Sequence, residues 1–207
     1  MEQQERIVKK AHELFMRYGI RSVSMDEVAN HLGMSKKTIY QFYTDKDALV
    51  EDVINIEITG KQVECKMQRE QSENAILEIF KATEMMEELL TQMNPALIFD
   101  LEKYHPKAFR KYNEHKNSFL YTLIKDNIEW GKKDGLYREE VLSDIMARFR
   151  LASVFLIFNP DAFPGGRHSL PAIVTEITDN FLYGLATVKG QKLIQKYKQL
   201  RQKTTIV

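Results

Sequence analysis

The chain has 207 residues, of which 43% are hydrophobic and 29% are charged. This composition is typical of a folded globular protein and excludes wholesale disorder. The formal net charge is only +1, so any contact with nucleic acid must come from a local basic patch. With Cys65 as its single cysteine, the chain can form neither an internal disulfide nor a cysteine-based zinc site.

Nothing in the sequence requires a membrane. The most apolar stretch, residues 151–158, is far shorter than the roughly 20 residues that a bilayer crossing needs. The first residues lack the basic start and apolar segment of an export signal. We therefore expect a cytoplasmic protein with no membrane partner.

The apolar residues recur at helical spacing, and no segment shows a convincing two-residue alternation. Only 9 glycines and 5 prolines interrupt this pattern, so the sequence predicts an all-α fold. The first four helices are expected at about residues 3–18, from Ser24 to Gly33, from Ser35, and from Thr44 to about residue 69. Longer helices are expected at about residues 73–92, 107–133, 139–158 and 171–187, with a short helix at 94–104 and a loop at 159–171.

Residues 24–49 contain three helix starts, each with a capping sequence. The predicted caps are Ser24 with Glu27 and Thr44 with Asp47, each a capping box, and Ser35 at the start of the third helix. Gly33 is expected to end the second helix because glycine tolerates the left-handed conformation.

Two very short helices joined by a tight turn are typical of a helix-turn-helix, whose second helix enters the DNA major groove. When Ile39 is placed on the inner face, a helical wheel puts five side chains on the outer face: Lys36, Lys37, Thr38, Tyr40 and Gln41. Cations and hydroxyls suit phosphates, and a glutamine can pair with an adenine edge. The alternative is a merely solvated surface, but the capping box and the small Ala29 favour DNA binding.

Residues 5–50 resemble the DNA-binding region of the TetR family of bacterial transcriptional regulators. The resemblance is carried by "ELF..YG" at 13–19, "S.DEVA..LGMS" at 24–35, Thr38, Tyr40, and "Y..K..L" at 43–49. It implies base or phosphate contact by the five outer-face residues and phosphate contact by Lys46. Two positions depart from the common pattern: Lys37 stands where glycine is frequent, and the order Phe42-Tyr43 leaves Phe42 without an assigned role.

The resemblance implies a three-helix DNA-binding head, residues 1–46, followed by a larger helical effector-binding and dimerisation domain, residues 47–207. A linking helix at 47–70 joins the two. A homodimer is expected to bind a palindromic double-stranded DNA operator, with ligand relieving repression as the commoner behaviour and activation as the alternative. The expected dimer interface lies on the last two long helices: Phe149, Phe155, Ile173, Ile177, Phe181, Gly184 and Leu185. Packing within one chain would also explain these apolar stripes.

An unidentified apolar small molecule is the effector that the resemblance implies, with no cofactor. The expected pocket lining is Phe80, Met86, Phe99, Phe109, Tyr112, Phe119 and Trp130, for each of which plain core packing is the alternative. The tail carries Lys189, Lys192, Lys196, Lys198, Arg201 and Lys203 with no acid among them, which is typical of a solvated helix or of a surface that contacts an anionic partner.

Two other classes of function are considered. Glu102 and His105 have the spacing of a di-iron helical-bundle metalloenzyme, but such sites need a second pair of this kind. None of the other histidines has a glutamate three residues before it. We therefore expect neither an enzyme nor a metal site. A nonspecific chromosome-binding protein could use the same head, although the near-neutral net charge favours a sequence-specific regulator.

Overall fold

The computed structural model describes residues 3–159, 161–164 and 167–204, apart from the side chains of Lys203 and Thr204. The all-α prediction is confirmed. The helices are α1 (Gln3–Tyr18), α2 (Met25–Leu32), α3 (Lys36–Phe42), α4 (Lys46–Glu70), α5 (Ala75–Gln92), α6 (Leu97–Tyr104), α7 (Pro106–His115), α8 (Tyr121–Lys133), α9 (Ser143–Phe155), α10 (Leu170–Leu185) and α11 (Val188–Thr204). None of the helices in the described residues combines the length and the apolar character that a membrane crossing needs.

Two predicted helix starts differ from the observed ones. Asp45, and not Thr44, caps α4, since its Oδ1 accepts a hydrogen bond from the Ala48 N–H at 2.8 Å. The predicted capping box of Thr44 and Asp47 is therefore wrong. Asn94 accepts from the Ala96 N–H at 2.9 Å within a turn, so α6 begins only at Leu97.

The long helix predicted at 107–133 is interrupted. It consists of α7, a π-helical segment at Lys116–Leu120, and α8. The helix predicted from residue 139 begins at Ser143, because the preceding backbone is extended: the Arg138 N–H donates to the Leu185 carbonyl at 2.9 Å. The loop predicted at 159–171 includes Pro160, Gly165 and Gly166, which lie outside the described residues.

The chain divides into two compact units. The first unit comprises the residues up to Val63 together with Gln92–His115, and the second comprises Glu64–Thr91 and the residues from Lys116 onwards. Helix α4 thus contributes to both units. The predicted domain boundary after residue 46 lies at the beginning of α4 and stays a prediction.

The second unit is organised around a closely packed apolar core. Tyr137 and Phe181 are among its largest fully or almost fully buried side chains, and Leu182 and Leu185 of α10 are completely buried beside them. Gly131 of α8 lies directly against the Tyr137 ring, because a Cβ built on Gly131 would be 2.0 Å from the ring carbon Cδ2. A glycine is therefore required where α8 meets Tyr137.

Replacement of Gly131 tests this packing. We expect Gly131→Ala to lower the free energy of unfolding by about 1–3 kcal/mol, because the new methyl group forces the buried ring to move. Gly60→Ala is the matched control: it lies in α4 with nothing within 4 Å of an added Cβ, and we expect a gain of up to about 1 kcal/mol from helix propensity. Urea unfolding measures both. Equal stability of the two variants would contradict the packing described.

Candidate DNA-binding interface

The start of α2 is fixed by the predicted capping box. The Ser24 Oγ accepts from the Glu27 N–H at 3.1 Å, and the Glu27 carboxylate accepts from the Ser24 N–H at 2.6 Å. That backbone hydrogen bond lowers the pKa of Glu27 below its ordinary value. Val23 and Val28, which flank the cap, are both buried, as a hydrophobic staple requires.

The turn between α2 and α3 depends on Gly33. Its φ of +63° lies in the left-handed region, and the following N–H, of Met34, donates to the Ala29 carbonyl at 3.0 Å. Ser35 then caps α3, accepting from the Thr38 N–H at 3.1 Å. Both predicted features, the glycine end and the serine start, are confirmed.

The inner face of α3 is anchored by Ile39 and by Tyr43, which follows the last helical residue. Ile39 is completely buried, and Ala29 of α2 is 2% exposed. The Tyr43 hydroxyl donates to Asp52 of α4 at 2.5 Å, and burial raises the pKa of this tyrosine. The helix is therefore held at the turn with α2 and at its C-terminal end by α4.

The outer face of α3 carries the residues predicted to contact DNA. Lys36, Lys37, Tyr40 and Gln41 are exposed. Thr38 is half-buried, and its hydroxyl forms a hydrogen bond of 2.8 Å with the Ser35 Oγ. The structure thus brings these five residues together on one helix.

The two lysines of this face differ in their surroundings. Lys36 forms an ion pair with Asp26 of α2 at 2.9 Å, and the hydrogen bond to Asp26 raises the lysine pKa. Its ammonium also lies 5.8 Å from the centre of the Tyr40 ring. Among the described residues, Lys37 has no hydrogen-bond or ion-pair partner for its ammonium group. Lys37 is therefore the cation of α3 that is immediately available to an anion.

Lys46, the sixth predicted DNA contact, lies at the start of α4 and is half-buried. Its ammonium donates to the Ile20 carbonyl at 2.6 Å, in the turn between α1 and α2. Burial lowers the pKa of Lys46, while the charge of nearby Asp100 acts in the opposite direction. This hydrogen bond connects the start of α4 to the turn between α1 and α2.

Asp100 of α6 is a structural residue of this region that the sequence reasoning missed. It is 6% exposed, and its Oδ2 accepts from the Arg21 N–H at 2.9 Å, in the same turn that Lys46 contacts. A detectable feature exists in the sequence: Asp100 lies on the helical face that Leu97 and Leu101 bury. An acid on an apolar face needs a specific partner.

The pair considered for a metalloenzyme is arranged differently from a metal site. Glu102 is exposed, while the Nδ1 atom of buried His105 lies 2.6 Å from the Asp47 Oδ1. In the described part of the chain, no group of three or more His, Cys, Asp or Glu side chains is positioned to hold a metal. The observed contact of His105 joins the end of α6 to the start of α4.

The seven residues predicted to line an effector pocket are distributed over both units. Phe99, Phe109 and Tyr112 belong to the first unit, whereas Phe80, Met86, Phe119 and Trp130 belong to the second. Phe80 is buried in the core against Tyr197, with ring centres 5.7 Å apart, and Phe99 is 57% exposed. Met86, Phe109, Tyr112, Phe119 and Trp130 are half-buried.

The residues predicted for the dimer interface also have different environments. Ile173, Phe181 and Leu185 are buried in the monomer, the last two inside the core of the second unit. Ile177 and Phe155 are half-buried. Phe149 is 53% exposed, and a Cβ at exposed Gly184 would meet nothing within 4 Å.

The basic tail has two parts. Lys198 pairs with Asp179, and Arg201 pairs with Glu87 at 2.6 Å, so both cations attach α11 to other helices of the second unit. Lys189, Lys192 and Lys196 line a groove of about 550 Å³ together with apolar Leu136, Val188 and Leu193. The side chain of Lys203 lies outside the described residues.

Comparison with known proteins agrees with this architecture. The family described as "Bacterial regulatory proteins, tetR family" matches residues 7–53. The uncharacterized HTH-type transcriptional regulator YvaF of Bacillus subtilis is 31% identical over 166 residues, which cover 76% of this chain and 82% of that protein.

Solved structures share the fold. A TetR-family regulator from Agrobacterium tumefaciens has a TM-score of 0.73 at 16% identity, covering 89% of this chain and 97% of that one. FadR of Thermus thermophilus, a TetR-family repressor solved with lauroyl-CoA, has a TM-score of 0.56 at 20% identity, covering 89% and 96%. The chain therefore belongs to the TetR family of bacterial regulatory proteins, which are DNA-binding transcriptional regulators.

Proposed function

We propose that this regulator is a ligand-responsive repressor that binds a palindromic operator as a homodimer in the cytoplasm. The observation that carries the proposal is the outer face of α3, where polar and basic side chains project from a helix that is capped at one end and anchored at the other. This geometry is what insertion into a major groove requires.

The proposed contacts follow from the chemistry of each side chain. Lys37 is available for a phosphate or for the O6 and N7 atoms of guanine, and the amide of Gln41 suits an adenine edge. Tyr40 offers a hydroxyl for a phosphate. Lys36 leaves its ion pair with Asp26 to bind a phosphate of the DNA. Lys46 contributes mainly by positioning the DNA-binding head, since its ammonium already donates to the Ile20 carbonyl.

The proposed homodimer uses an exposed apolar stripe on and beside α9. Leu142, Ile145, Phe149 and Leu156 are 65, 58, 53 and 44% exposed, and with exposed Ala152 they follow the three- and four-residue spacing of one helical face. A contiguous apolar surface of this kind is typical of a protein interface. Gly184 of α10 allows close approach of a partner, whereas Ile173, Phe181 and Leu185 serve the core of their own chain.

A second copy of this chain is the occupant that the proposed DNA site requires. A palindromic operator presents two equivalent half-sites about 34 Å apart, so two copies of α3 must be related by a two-fold axis. An interface on that axis pairs the same surface of both subunits. The apolar stripe of α9 meets this requirement because it can pack against itself.

The proposed effector is a largely apolar small molecule that binds the helical region beyond the DNA-binding head. Support comes from the half-buried bulky residues Met86, Phe119 and Trp130 and from the repressor FadR, which was solved with lauroyl-CoA. The ligand lowers DNA affinity by binding more tightly to a dimer whose reading helices are wrongly spaced. Helix α4 is the proposed lever, because it contributes residues to both units.

Sequence-specific DNA binding is tested by fluorescence anisotropy on a duplex selected from a random library and on its scrambled counterpart. We expect Lys37→Ala to weaken specific binding by about 1–3 kcal/mol if the lysine contacts a guanine, and Tyr40→Ala, which removes a phosphate contact, to weaken binding to both duplexes. Loss of a phosphate contact at Lys37 also reduces the salt dependence by about one unit of slope. Lys133→Ala, an exposed lysine of α8, is the control and should bind normally.

Two results would contradict the proposed recognition. DNA affinities of the Lys37→Ala and Tyr40→Ala proteins that both equal that of the Lys133→Ala protein would remove α3 from the interface. Equal affinity of the unaltered protein for selected and scrambled DNA would favour the nonspecific chromosome-binding function.

The dimer is tested by sedimentation. We expect the unaltered protein to sediment as a dimer and Phe149→Glu to sediment as a folded monomer, because a charge on the apolar stripe cannot be buried against its own copy. Thr122→Glu introduces the same charge at an exposed position of α8 and should leave the dimer intact. A Phe149→Glu protein that remains dimeric would place the interface elsewhere.

A further inference from the structure

Arg150 is a buried cation in the second unit. It lies on the buried face of α9 with Ala147, Leu151 and Val154, and only 7% of its surface is exposed. One guanidinium nitrogen, Nη2, donates to the Thr178 hydroxyl at 2.7 Å. The guanidinium also lies over the Phe181 ring, 5.2 Å from its centre.

This cation lacks a counter-ion among the residues that the structure describes. No carboxylate forms an ion pair with Arg150 there, and its second terminal nitrogen, Nη1, is buried without an acceptor. Burial lowers the pKa of Arg150 to about 10, which still leaves the guanidinium charged at neutral pH. A buried charge is strongly unfavourable unless it is paired, and the aromatic contact compensates for only part of this cost.

The acid that is buried in the same unit does not supply the missing charge. Glu78 accepts hydrogen bonds through Oε2 from Arg69 at 2.6 Å and from Asn127 at 2.7 Å, so Arg69 supplies its counter-charge. Its other oxygen, Oε1, is buried without a hydrogen-bond partner and forms no ion pair with Arg150. A water molecule would satisfy the Nη1 donor but would leave the positive charge of Arg150 uncompensated. An anion would accept the hydrogen bond from Nη1 and would also compensate the positive charge. A guanidinium can bind a carboxylate or a phosphate through two donors.

We propose that Arg150 binds the anionic group, a carboxylate or a phosphate, of a small molecule whose remaining part is apolar. The apolar part is inferred from the surroundings, since Ala147 and Phe181 belong to a core built from apolar side chains. Thr178 positions the guanidinium, because its hydroxyl is itself fixed by donating to the Val174 carbonyl at 2.7 Å. This inference rests on the ligand-responsive part of the proposed function and defines the chemical class of the effector.

The test uses thermal unfolding of the full-length protein with three probes of equal chain length: octanoate, octyl phosphate and neutral octanol. Ionic strength is held constant with sodium chloride. We expect at least one anion to raise the Tm by about 5–10 °C at a hundred times its Kd, while octanol has little effect. Octanoate and octyl phosphate separate a carboxylate site from a phosphate site.

Two variants assign the effect to the buried guanidinium. Arg150→Met keeps a long side chain without the charge, and we expect it to lose the anion-specific rise while its Tm without ligand equals or exceeds that of the unaltered protein. Arg148→Met removes an exposed arginine of the same helix and should keep the full rise. Arg150→Lys retains a charge without the paired donors and should keep a smaller rise, which gives a second reading if the methionine variant folds poorly.

Three results would overturn the anion site: no rise with either anion, an equal rise with octanol, or an unchanged rise in Arg150→Met. Adding the same probes to the DNA complex distinguishes this failure from failure of the proposed function. Anion binding through Arg150 that leaves DNA affinity unchanged supports the site and contradicts ligand-responsive repression. Release of DNA by octanol and octanoate alike supports ligand response and contradicts the anion site.

Discussion

The left-handed backbone at Gly33 is the constraint on which the DNA-binding surface depends. Its φ of +63° ends α2 and allows α3 to begin after an interval of three residues, 33–35, and a side chain at this position would cost about 1–2 kcal/mol. From this turn Ile39 faces inward while Lys37 and Gln41 face outward. The direction of the polar face is therefore decided by local backbone geometry before any DNA is present.

Polar contacts within the first unit hold the head in place around this turn. Lys46 and Asp100 both bind the backbone between α1 and α2, and His105 contacts Asp47 near the start of α4. Hydrogen bonds are directional and short in range, so a small shift of α4 or α6 weakens them. In the proposed mechanism, this sensitivity is how ligand binding alters the position of the reading helix.

The features that could be predicted from the sequence are those set by neighbouring residues. Ser24 and Glu27 are three positions apart, so their reciprocal cap could be predicted. The sequence could not decide between Thr44 and Asp45 as the cap of α4, because the two residues are adjacent and both residue types can cap a helix. Asp100 and Arg21 are 79 positions apart, and nothing local indicates their contact. Likewise, the apolar pattern of α10 could not distinguish a dimer surface from the core in which Phe181 and Leu185 are buried.

Amide hydrogen exchange of the protein with and without a selected duplex tests whether α3 is the helix that reads DNA, since it reports which segments the DNA covers. We expect protection to be concentrated in residues 24–46, with its maximum in α3. Protection confined to the lysine-rich helix α11, with no change in α3, would contradict it and would move the DNA-binding surface to the other end of the chain.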